Sequence, residues 1–331
     1  MQSTIYDIAR EAGVSIATVS RVFNNNPNVS AATRERVLKL AQEHGYHPKA
    51  IAQGLARRHT KTIMALVPML SNYFFMEVLA GLQDRISDSD YDLHIFNIKG
   101  FTSSDELHEQ LEYVMRKGQA DAYILISCHL RDEQWRSLLK KYRSPAVLVD
   151  EHHDAYDSIS VDSVQGAYAA TKYLIDQGFS RVGVIAASET SKPIQDRVAG
   201  YCKAMTEAGF AKADARIYRG DDTYRDGFSE MGGYQAMCKI LEDPDGPDAV
   251  FCTSDIQSLG ALKAMQDVGR SIPLVSFDDI QIAHFLGLTT MRQPMYEMGT
   301  LAIEYLLDRL EGEKQSPPKN TVFLPELIVR D

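Results

Sequence analysis

Six short apolar runs constrain the fold of this 331-residue chain more than any other feature. Each run leads into a helical pattern, and all but the first end in a polar residue: TIMALVPM, AYILIS, PAVLVDE, RVGVIAAS, DAVFCTSD and IPLVSFDD. Continuous Val, Ile and Leu runs that alternate with helices are typical of parallel sheets covered by helices on both faces. Because roughly 270 residues follow position 60, two doubly wound lobes with a cleft between them are predicted.

The polar residues that follow these runs are the first candidates for a binding site. Ligands of parallel sheets bind at the carboxyl ends of the strands. The residues that stand at those ends are Ser127, Asp150, Ser254, Asp255 and Asp278. For Asp150 and Asp278 the structural alternative is a cap on the following helix.

The charge of the chain is unevenly placed. Residues 1–61 hold nine Lys and Arg against four Asp and Glu, a net of +5, whereas the rest of the chain carries −15. A basic head on an acidic body suits an anionic partner such as nucleic acid, although charge runs are more often solvated faces.

Composition also excludes several classes of protein. No apolar run approaches the ~20 residues of a membrane span, and the opening MQSTIYDIAR lacks the layout of a signal peptide. We therefore expect a cytoplasmic protein associated with the nucleoid. The four cysteines lie far apart without a C-x-x-C pair, so neither a disulfide framework nor a zinc knuckle is expected: Cys128, Cys202, Cys238 and Cys252. No metal and no cofactor are expected.

The first 47 residues have the pattern of three short helices. The first carries apolar residues at helical spacing and ends at Gly13, the second is capped by Ser15, and the third runs from Ser30 to near Gly45. The inward positions are Ile5, Ile8, Ala9, Ala12, Val19, Val22, Phe23, Val37, Leu40 and Ala41. This pattern predicts a helix-turn-helix, with the surface of a plain helical bundle as the alternative.

The second helix presents side chains suited to DNA. Arg21 has the geometry to bind guanine, and Ile16 and Ala17 can pack against base edges, best against a thymine methyl group. Thr18, Ser20 and Asn24 suit contacts with phosphates, which position the head on DNA without specifying its sequence. Thr4 and Ser15, at the starts of the first two helices, are also predicted to contact DNA.

Residues 48–60 form the predicted hinge. The segment is too short, and has Gly54 in its middle, to be stable as an isolated helix. Leu55 lies among basic residues, and its apolar side chain could insert as a wedge between two base pairs in the minor groove. The alternative is a flexible tether that carries an ordinary leucine.

These motifs resemble the LacI/GalR family of bacterial repressors. The resemblance rests on Y-D-I-A-x-x-A-G-V-S-x-A-T-V-S-R-V, on N-P-N-V-S with T-R-E-R-V, and on G-Y-x-P-x-A-I-A-x-G-L. It implies a dimer on a pseudo-palindrome, base contacts from Ile16, Ala17 and Arg21, and Leu55 as the hinge wedge. The absence of leucine heptads at the end of the sequence favours a dimer over a larger assembly.

The resemblance also implies an α/β body of the type I periplasmic-binding-protein fold. The implied domains are the head at 1–47, the hinge at 48–60 and the body at 61–331. Lobe 1 is expected at about 61–160 and 292–322, and lobe 2 at about 161–291 and 323–331.

Several residues match effector-contacting positions of the family. Arg197, Asp278 and Asp150 would bind polar groups of an effector, and Phe74 or Phe75 would cover a sugar ring, with core packing as the alternative for either phenylalanine. The segment 220–237 aligns in two ways, so that either Tyr224 or Phe228 would face the ligand. Ser254 stands where many relatives carry asparagine, which shortens its reach.

The sequence therefore predicts a ligand-responsive repressor and not an enzyme, switched by a sugar-like molecule in the cleft. One alternative is a regulator that uses a phosphorylated protein as corepressor. A sugar-transport binding protein would share the body but would have no use for a helix-turn-helix. The sequence contains no G-x-S-x-G, H-E-x-x-H, Walker or G-x-G-x-x-G motif that would indicate catalysis.

Overall fold

A computed structural model describes residues 3–23, 26–46, 60–98, 100, 103–189, 191–210, 215–221, 227–312 and 316–330. The predictions for Asn24, Leu55, Tyr224 and all of the hinge except Thr60 lie outside the described residues. Within those ranges no helix has the length and apolarity that a bilayer span requires.

The helices are α1 (Ile5–Glu11), α2 (Ile16–Phe23), α3 (Ala31–Glu43), α4 (Tyr73–Ile86), α5 (Ser104–Arg116), α6 (Asp132–Tyr142), α7 (Ser163–Asp176), α8 (Lys192–Glu207), α9 (Glu230–Glu242), α10 (Asp255–Val268), α11 (Gln281–Phe285) and α12 (Met295–Glu311). The strands are β1 (Thr62–Val67), β2 (Asp92–Asn97), β3 (Ala122–Ile126), β4 (Ala146–Val149), β5 (Asp157–Val161), β6 (Val182–Ile185), β7 (Arg216–Tyr218), β8 (Ala249–Cys252), β9 (Leu274–Asp278), β10 (Thr290–Arg292), β11 (Asn320–Phe323) and β12 (Glu326–Ile328).

The head is a three-helix bundle. Ile8, Val19 and Val37, one from each helix, are fully buried in its core. The backbone amide of Thr18 donates to the Ser15 hydroxyl at 3.1 Å, so Ser15 caps α2 as its sequence position predicts. The predicted helix-turn-helix is confirmed.

Lobe 1 is built on a parallel sheet with strand order β11-β5-β4-β3-β1-β2. Side chains of β1 alternate between its two faces. Ile63 packs toward α4 and α12, whereas Met64 packs toward α5 and α6. Both faces are thus covered by helices, which explains why β1 reads as an uninterrupted apolar run.

Lobe 2 repeats this arrangement with strand order β12-β10-β9-β8-β6-β7, in which only the β10–β12 pair is antiparallel. Helices α7 and α8 share one core with the sheet, and α9 and α10 share the other. The chain passes between the two sheets after β5, after β10 and after β11. The predicted α/β body of two doubly wound lobes is confirmed.

Candidate functional site

The outer face of α2 is open to solvent. Ser15, Ile16, Ala17 and Arg21 are exposed, and Thr18 and Ser20 are half-buried. Val19, on the opposite side of the helix, is fully buried. Burial of one face leaves the N-terminal half of α2 free to enter a groove of DNA, which is how recognition helices bind.

Thr4 has a local structural role as well as an exposed position. Its amide and its hydroxyl both donate to the Asp7 carboxylate, at 3.0 and 2.7 Å, and so begin α1 with a capping arrangement. The DNA contacts predicted for Thr4 and for the residues of α2 stay predictions.

Arg34 supports α2 from behind, a role that the sequence did not reveal. Its guanidinium group donates to the carbonyl oxygens of Val22 at 3.1 Å and of Asn26 at 2.7 Å. The carbonyl oxygen of Val22 lies in the last turn of α2, where a helix cannot satisfy it internally, and Asn26 lies in the segment that follows the helix. Arg34 therefore fixes the angle between the second and third helices.

The second candidate site is a cavity of about 470 Å³ between the lobes. Its lining residues come from the ends of strands and the starts of helices in both lobes: Pro68, Met69, Asn72, Phe74, Phe75, Ser103, Ser104, Leu107, Ser127, Cys128, His129 and Asp150 from lobe 1, and Ser191, Lys192, Pro193, Arg197, Phe228 and Asp278 from lobe 2. A cavity of this size suits a small molecule.

The lobe 2 wall centres on Arg197, a residue of α8 that is only 4% exposed. Its guanidinium group donates to the carbonyl oxygen of Thr253, lies 3.3 Å from the Asp278 carboxylate, and stacks 3.9 Å above the centre of the Phe277 ring. Its Nε atom is buried and has no hydrogen-bond partner within the described part of the chain. A buried donor without a partner is costly, so a ligand acceptor would be favourable there.

The lobe 1 wall centres on Asp150, at the end of β4. The Ser127 hydroxyl donates to its carboxylate at 2.5 Å, and the His129 Nε2 atom lies 4.0 Å from the same carboxylate oxygen. The positive φ angles of these three residues are 61°, 49° and 40°. Backbone strain of this kind costs about 1–3 kcal/mol per residue and concentrates at functional sites.

Burial disfavours charge throughout the cavity floor. It raises the pKa of Asp150, and it raises the pKa of Asp278 to about 6 although Arg197 opposes that shift. Burial also lowers the pKa of His129, which favours its neutral imidazole although Asp150 opposes the shift. The neighbouring Glu151 carboxyl has its pKa raised to about 7, mainly by burial, and accepts hydrogen bonds from the Trp135 indole at 2.7 Å and the His129 amide at 3.0 Å.

Most of the predicted effector residues that the structure describes lie together in this cavity: Phe74, Phe75, Ser127, Asp150, Arg197, Phe228 and Asp278. The rings of Phe74 and Phe75 meet edge to face at 5.4 Å, and Phe75 is the more deeply buried of the two. Phe74 is therefore the better placed to cover a ligand, whereas Phe75 also belongs to the core of lobe 1.

Ser254 and Asp255 are not among the lining residues. The Ser254 hydroxyl accepts from the Gln257 amide at 3.4 Å and caps α10. The Asp255 carboxylate accepts from the Ile280 amide at 2.8 Å and from the Thr290 hydroxyl at 2.7 Å, so it joins β10 to the segment between β9 and α11. These contacts give both residues a structural role, and the direct effector contacts predicted for them stay untested.

Sequence reasoning missed His129 and Lys192, which line the cavity from opposite lobes. The His129 Nε2 atom is buried without a hydrogen-bond partner in the described ranges. The only sequence signal for His129 was its position two residues beyond the polar end of β3. Lys192 pairs with Asp196 one turn along α8. In the sequence such an i, i+4 pair indicates a solvated helix face, so it gave no sign that Lys192 lines the cavity.

Comparison with known proteins identifies the family. Residues 4–49 match the lacI family of bacterial regulatory proteins, and residues 171–331 match a periplasmic binding protein-like domain. Catabolite control protein A of Priestia megaterium is 35% identical over 338 residues, which cover 99% of this chain and 98% of that protein. This chain belongs to the LacI family. The repressor PurR of Vibrio vulnificus (strain CMCP6) is 34% identical over 340 residues, with 99% and 98% covered.

Solved LacI-family structures have the same architecture. A complex of the transcriptional regulator CelR with cellobiose is 28% identical, has a TM-score of 0.68 and covers 99% of both chains. The lac repressor dimer bound to operator and the anti-inducer ONPF has a TM-score of 0.82 at 24% identity, with 100% of this chain and 98% of that chain covered. At that identity the second likeness supports the fold alone. The LacI-family membership makes this chain a DNA-binding transcriptional regulator.

Proposed function

We propose that this LacI-family protein represses transcription as a homodimer on a pseudo-palindromic operator and is switched by an uncharged sugar or sugar derivative. The observation that carries the proposal is the composition of the inter-lobe cavity. Asp150 enters it from lobe 1, and the Arg197–Asp278 pair enters it from lobe 2. A ligand bound to both walls would favour one arrangement of the lobes over others.

The polar groups of the cavity suit hydroxyl-rich ligands. Carboxylates accept hydrogen bonds from sugar hydroxyls, and the free Nε atom of Arg197 donates to them. The exposed faces of Phe74 and Phe228 provide apolar surface for a sugar ring. The cellobiose bound to CelR supports the same ligand class for this chain.

The charge balance favours an uncharged ligand over a phosphate or a sugar acid. The guanidinium group of Arg197 is paired with Asp278, and Lys192 is paired with Asp196. Burial favours the neutral form of His129 by lowering its pKa. Since Asp150 adds a further carboxyl, an anionic ligand would meet no uncompensated cation among the lining residues described here.

The proposed mechanism is allosteric. Ligand in the cavity would set the relative position of the lobes and hence the separation of the two hinge segments in the dimer. A coupling of ~1–3 kcal/mol changes operator affinity between several-fold and about a hundredfold. The ligand would release the protein from DNA or hold it there, according to which arrangement it prefers.

The same proposal assigns the DNA contacts and the cellular location. Ile16, Ala17 and Arg21 read bases, Leu55 inserts into the minor groove, and the phosphate and positioning contacts come from Thr4, Ser15, Thr18, Ser20 and Asn24. The protein acts in the cytoplasm on nucleoid DNA.

A binding screen tests the proposal. The intact protein is titrated with neutral mono- and disaccharides and with the phosphate and uronate of each, and thermal unfolding and the fluorescence of Trp135 are recorded. We expect a neutral sugar to raise the unfolding temperature and to bind at least tenfold more tightly than its anionic derivative. Equal binding of the derivative would contradict the charge argument. Binding of no sugar would favour the phosphorylated protein corepressor instead.

A further inference from the structure

Thr60, the last residue of the predicted hinge, and Lys61 lie where the chain enters lobe 1. The carboxylate of Asp121 accepts hydrogen bonds from both residues. The amide and the hydroxyl of Thr60 donate to Oδ1 of Asp121, at 2.7 and 2.9 Å, and the amide of Lys61 donates to Oδ2 at 2.9 Å. The amide of Asp121 in turn donates to the carbonyl oxygen of Thr62 at 2.8 Å.

Lys61 is fixed on its other side as well. Its carbonyl oxygen accepts from the amide of Asp92, at the start of β2, at 2.8 Å. Its ammonium group lies 4.5 Å above the centre of the Tyr91 ring. Because β1 lies between β2 and β3 in the sheet, the entry point is bonded to both neighbouring strands.

The backbone of Lys61 needs these bonds. Its φ angle of 52° lies in the left-handed region, which a lysine adopts only when its surroundings enforce it. The bend lies at the first residues of lobe 1 that follow the predicted hinge, so it bears on the direction from which the hinge joins the lobe. The side chain that enforces the bend belongs to the loop before β3, whose opposite end carries the cavity residues Ser127 and His129.

We propose that Asp121 is a positioning residue that couples lobe 1 to the DNA-binding head by fixing the exit direction of the hinge. This inference rests on the proposed function, because it requires that specific DNA binding depend on how lobe 1 holds the hinge. Asp121 is not among the residues that line the cavity, and it acts through Thr60 and Lys61.

Asp121→Asn tests this role in the full-length protein. The substitution preserves the size of the side chain but replaces one acceptor oxygen by an NH2 group, so at least one of the three donors loses its partner. The probes are a duplex selected from random DNA by the wild-type protein and an unrelated duplex of equal length. We expect the affinity for the selected duplex to fall at least tenfold, while the affinity for the unrelated duplex and the unfolding temperature of the lobes stay nearly unchanged.

Two further variants separate this role from general damage. Thr60→Val removes only the hydroxyl bond and should give an intermediate loss of specific affinity. Asp90→Asn removes a 91% exposed carboxylate that lies 4.0 Å from the Lys61 ammonium group but holds no backbone at the entry point, and it should change nothing. An equal loss on both duplexes, a loss that tracks the unfolding temperature, or an equal effect of Asp90→Asn would overturn the inference.

The failure of the proposed function is recognised separately. If selection with the wild-type protein enriches no duplex sequence, the proposed function fails before Asp121 is tested. If a sequence is enriched and Asp121→Asn binds it with unchanged affinity, only the role of Asp121 is refuted.

Discussion

At the scale of single residues, Arg197 combines a proposed ligand-binding position with structural contacts inside lobe 2. Its match to a family position predicted the first, but its stacking on Phe277 and its bond to Thr253 were not predictable from sequence. Those contacts join residues 56 or more positions apart, and a sequence carries no local signal for such pairs. Asp150 and Asp278 were predictable because they follow apolar strands, whereas Glu151 and His129 acquire their properties from burial.

Arg197→Ala should abolish the sugar response and leave operator binding within about twofold of the wild type. It should also lower the free energy of unfolding by about 3 kcal/mol, because the Asp278 carboxylate stays buried without its partner. Urea unfolding and sugar titration measure the two effects. Adding Asp278→Asn removes the unpaired charge and should restore part of the stability but not sugar binding. Retained sugar affinity in Arg197→Ala would remove the residue from the site.

Glu151 should give the protein a pH-dependent fluorescence signal. Burial raises its pKa from 4.5 to about 7, and its carboxylate accepts from the indole of Trp135, the chain's one tryptophan. The folded protein therefore binds a proton that the unfolded chain releases between these values. The resulting stability is complete below about pH 4.5 and is lost as the pH rises through about 7.

We expect the emission of Trp135 to change with a midpoint near pH 7, and Glu151→Gln to remove that transition. Asp255→Asn is the matched control, because burial also raises the pKa of Asp255 to about 7 but its carboxylate bonds residues of lobe 2. The transition should persist in that variant. Its loss there, or its survival in Glu151→Gln, would assign the signal to another group.

At the scale of elements, apolar runs predicted the central strands β1, β3, β4, β6, β8 and β9. The strands they did not predict are short or carry polar residues. In β2 four of six side chains are exposed, and β5 places buried Asp157 and Ser158 within its span. Asp157 is held there by a double hydrogen bond from Arg309 of α12 at 2.7 Å, which no local pattern encodes.

The close contact of helices α4 and α12 at two glycines was also not predictable from the sequence. Helices α4 and α12 approach so closely that a Cβ atom on Gly299 would lie 2.1 Å from the carbonyl oxygen of Val78, and one on Gly81 would lie 2.0 Å from that of Tyr296. In an isolated helix Gly→Ala is favourable by ~1 kcal/mol. Here overlap with rigid backbone outweighs that gain.

Gly299→Ala should therefore lower the free energy of unfolding by about 2 kcal/mol, despite the better helix propensity of alanine. Thermal and urea unfolding of the purified protein measure the change. Gly100→Ala is the control, since a Cβ atom there meets nothing within 4 Å and should shift stability by less than about 0.5 kcal/mol. A stabilised Gly299→Ala protein would show that the two helices separate at little cost.

At the scale of the whole molecule, the uneven charge of the sequence predicted separate roles for a basic head, suited to nucleic acid, and an acidic body. It did not predict which surfaces the folded lobes leave apolar, because that depends on the sheets meeting their helices. Phe285, on the short helix α11 of lobe 2, is 76% exposed, and its neighbour Leu286 is 48% exposed. Because an aromatic ring exposed to this extent can serve as an anchor at an interface, we predict that Phe285 contributes to the proposed dimer.

Phe285→Glu should weaken the dimer at least thirtyfold, the equivalent of about 2 kcal/mol for the loss of an aromatic anchor. Because the ring is mostly exposed, the folded protomer should keep its unfolding temperature when measured at a concentration where both proteins are monomeric. Sedimentation velocity over a dilution series measures the association, and operator affinity should fall with it, since two linked heads bind a two-fold site more tightly than one. Leu324→Glu is the matched control: Leu324 is 69% exposed and lies between β11 and β12, outside α11. If Leu324→Glu dissociates the dimer and Phe285→Glu does not, the dimer interface lies on the C-terminal strands and not on α11.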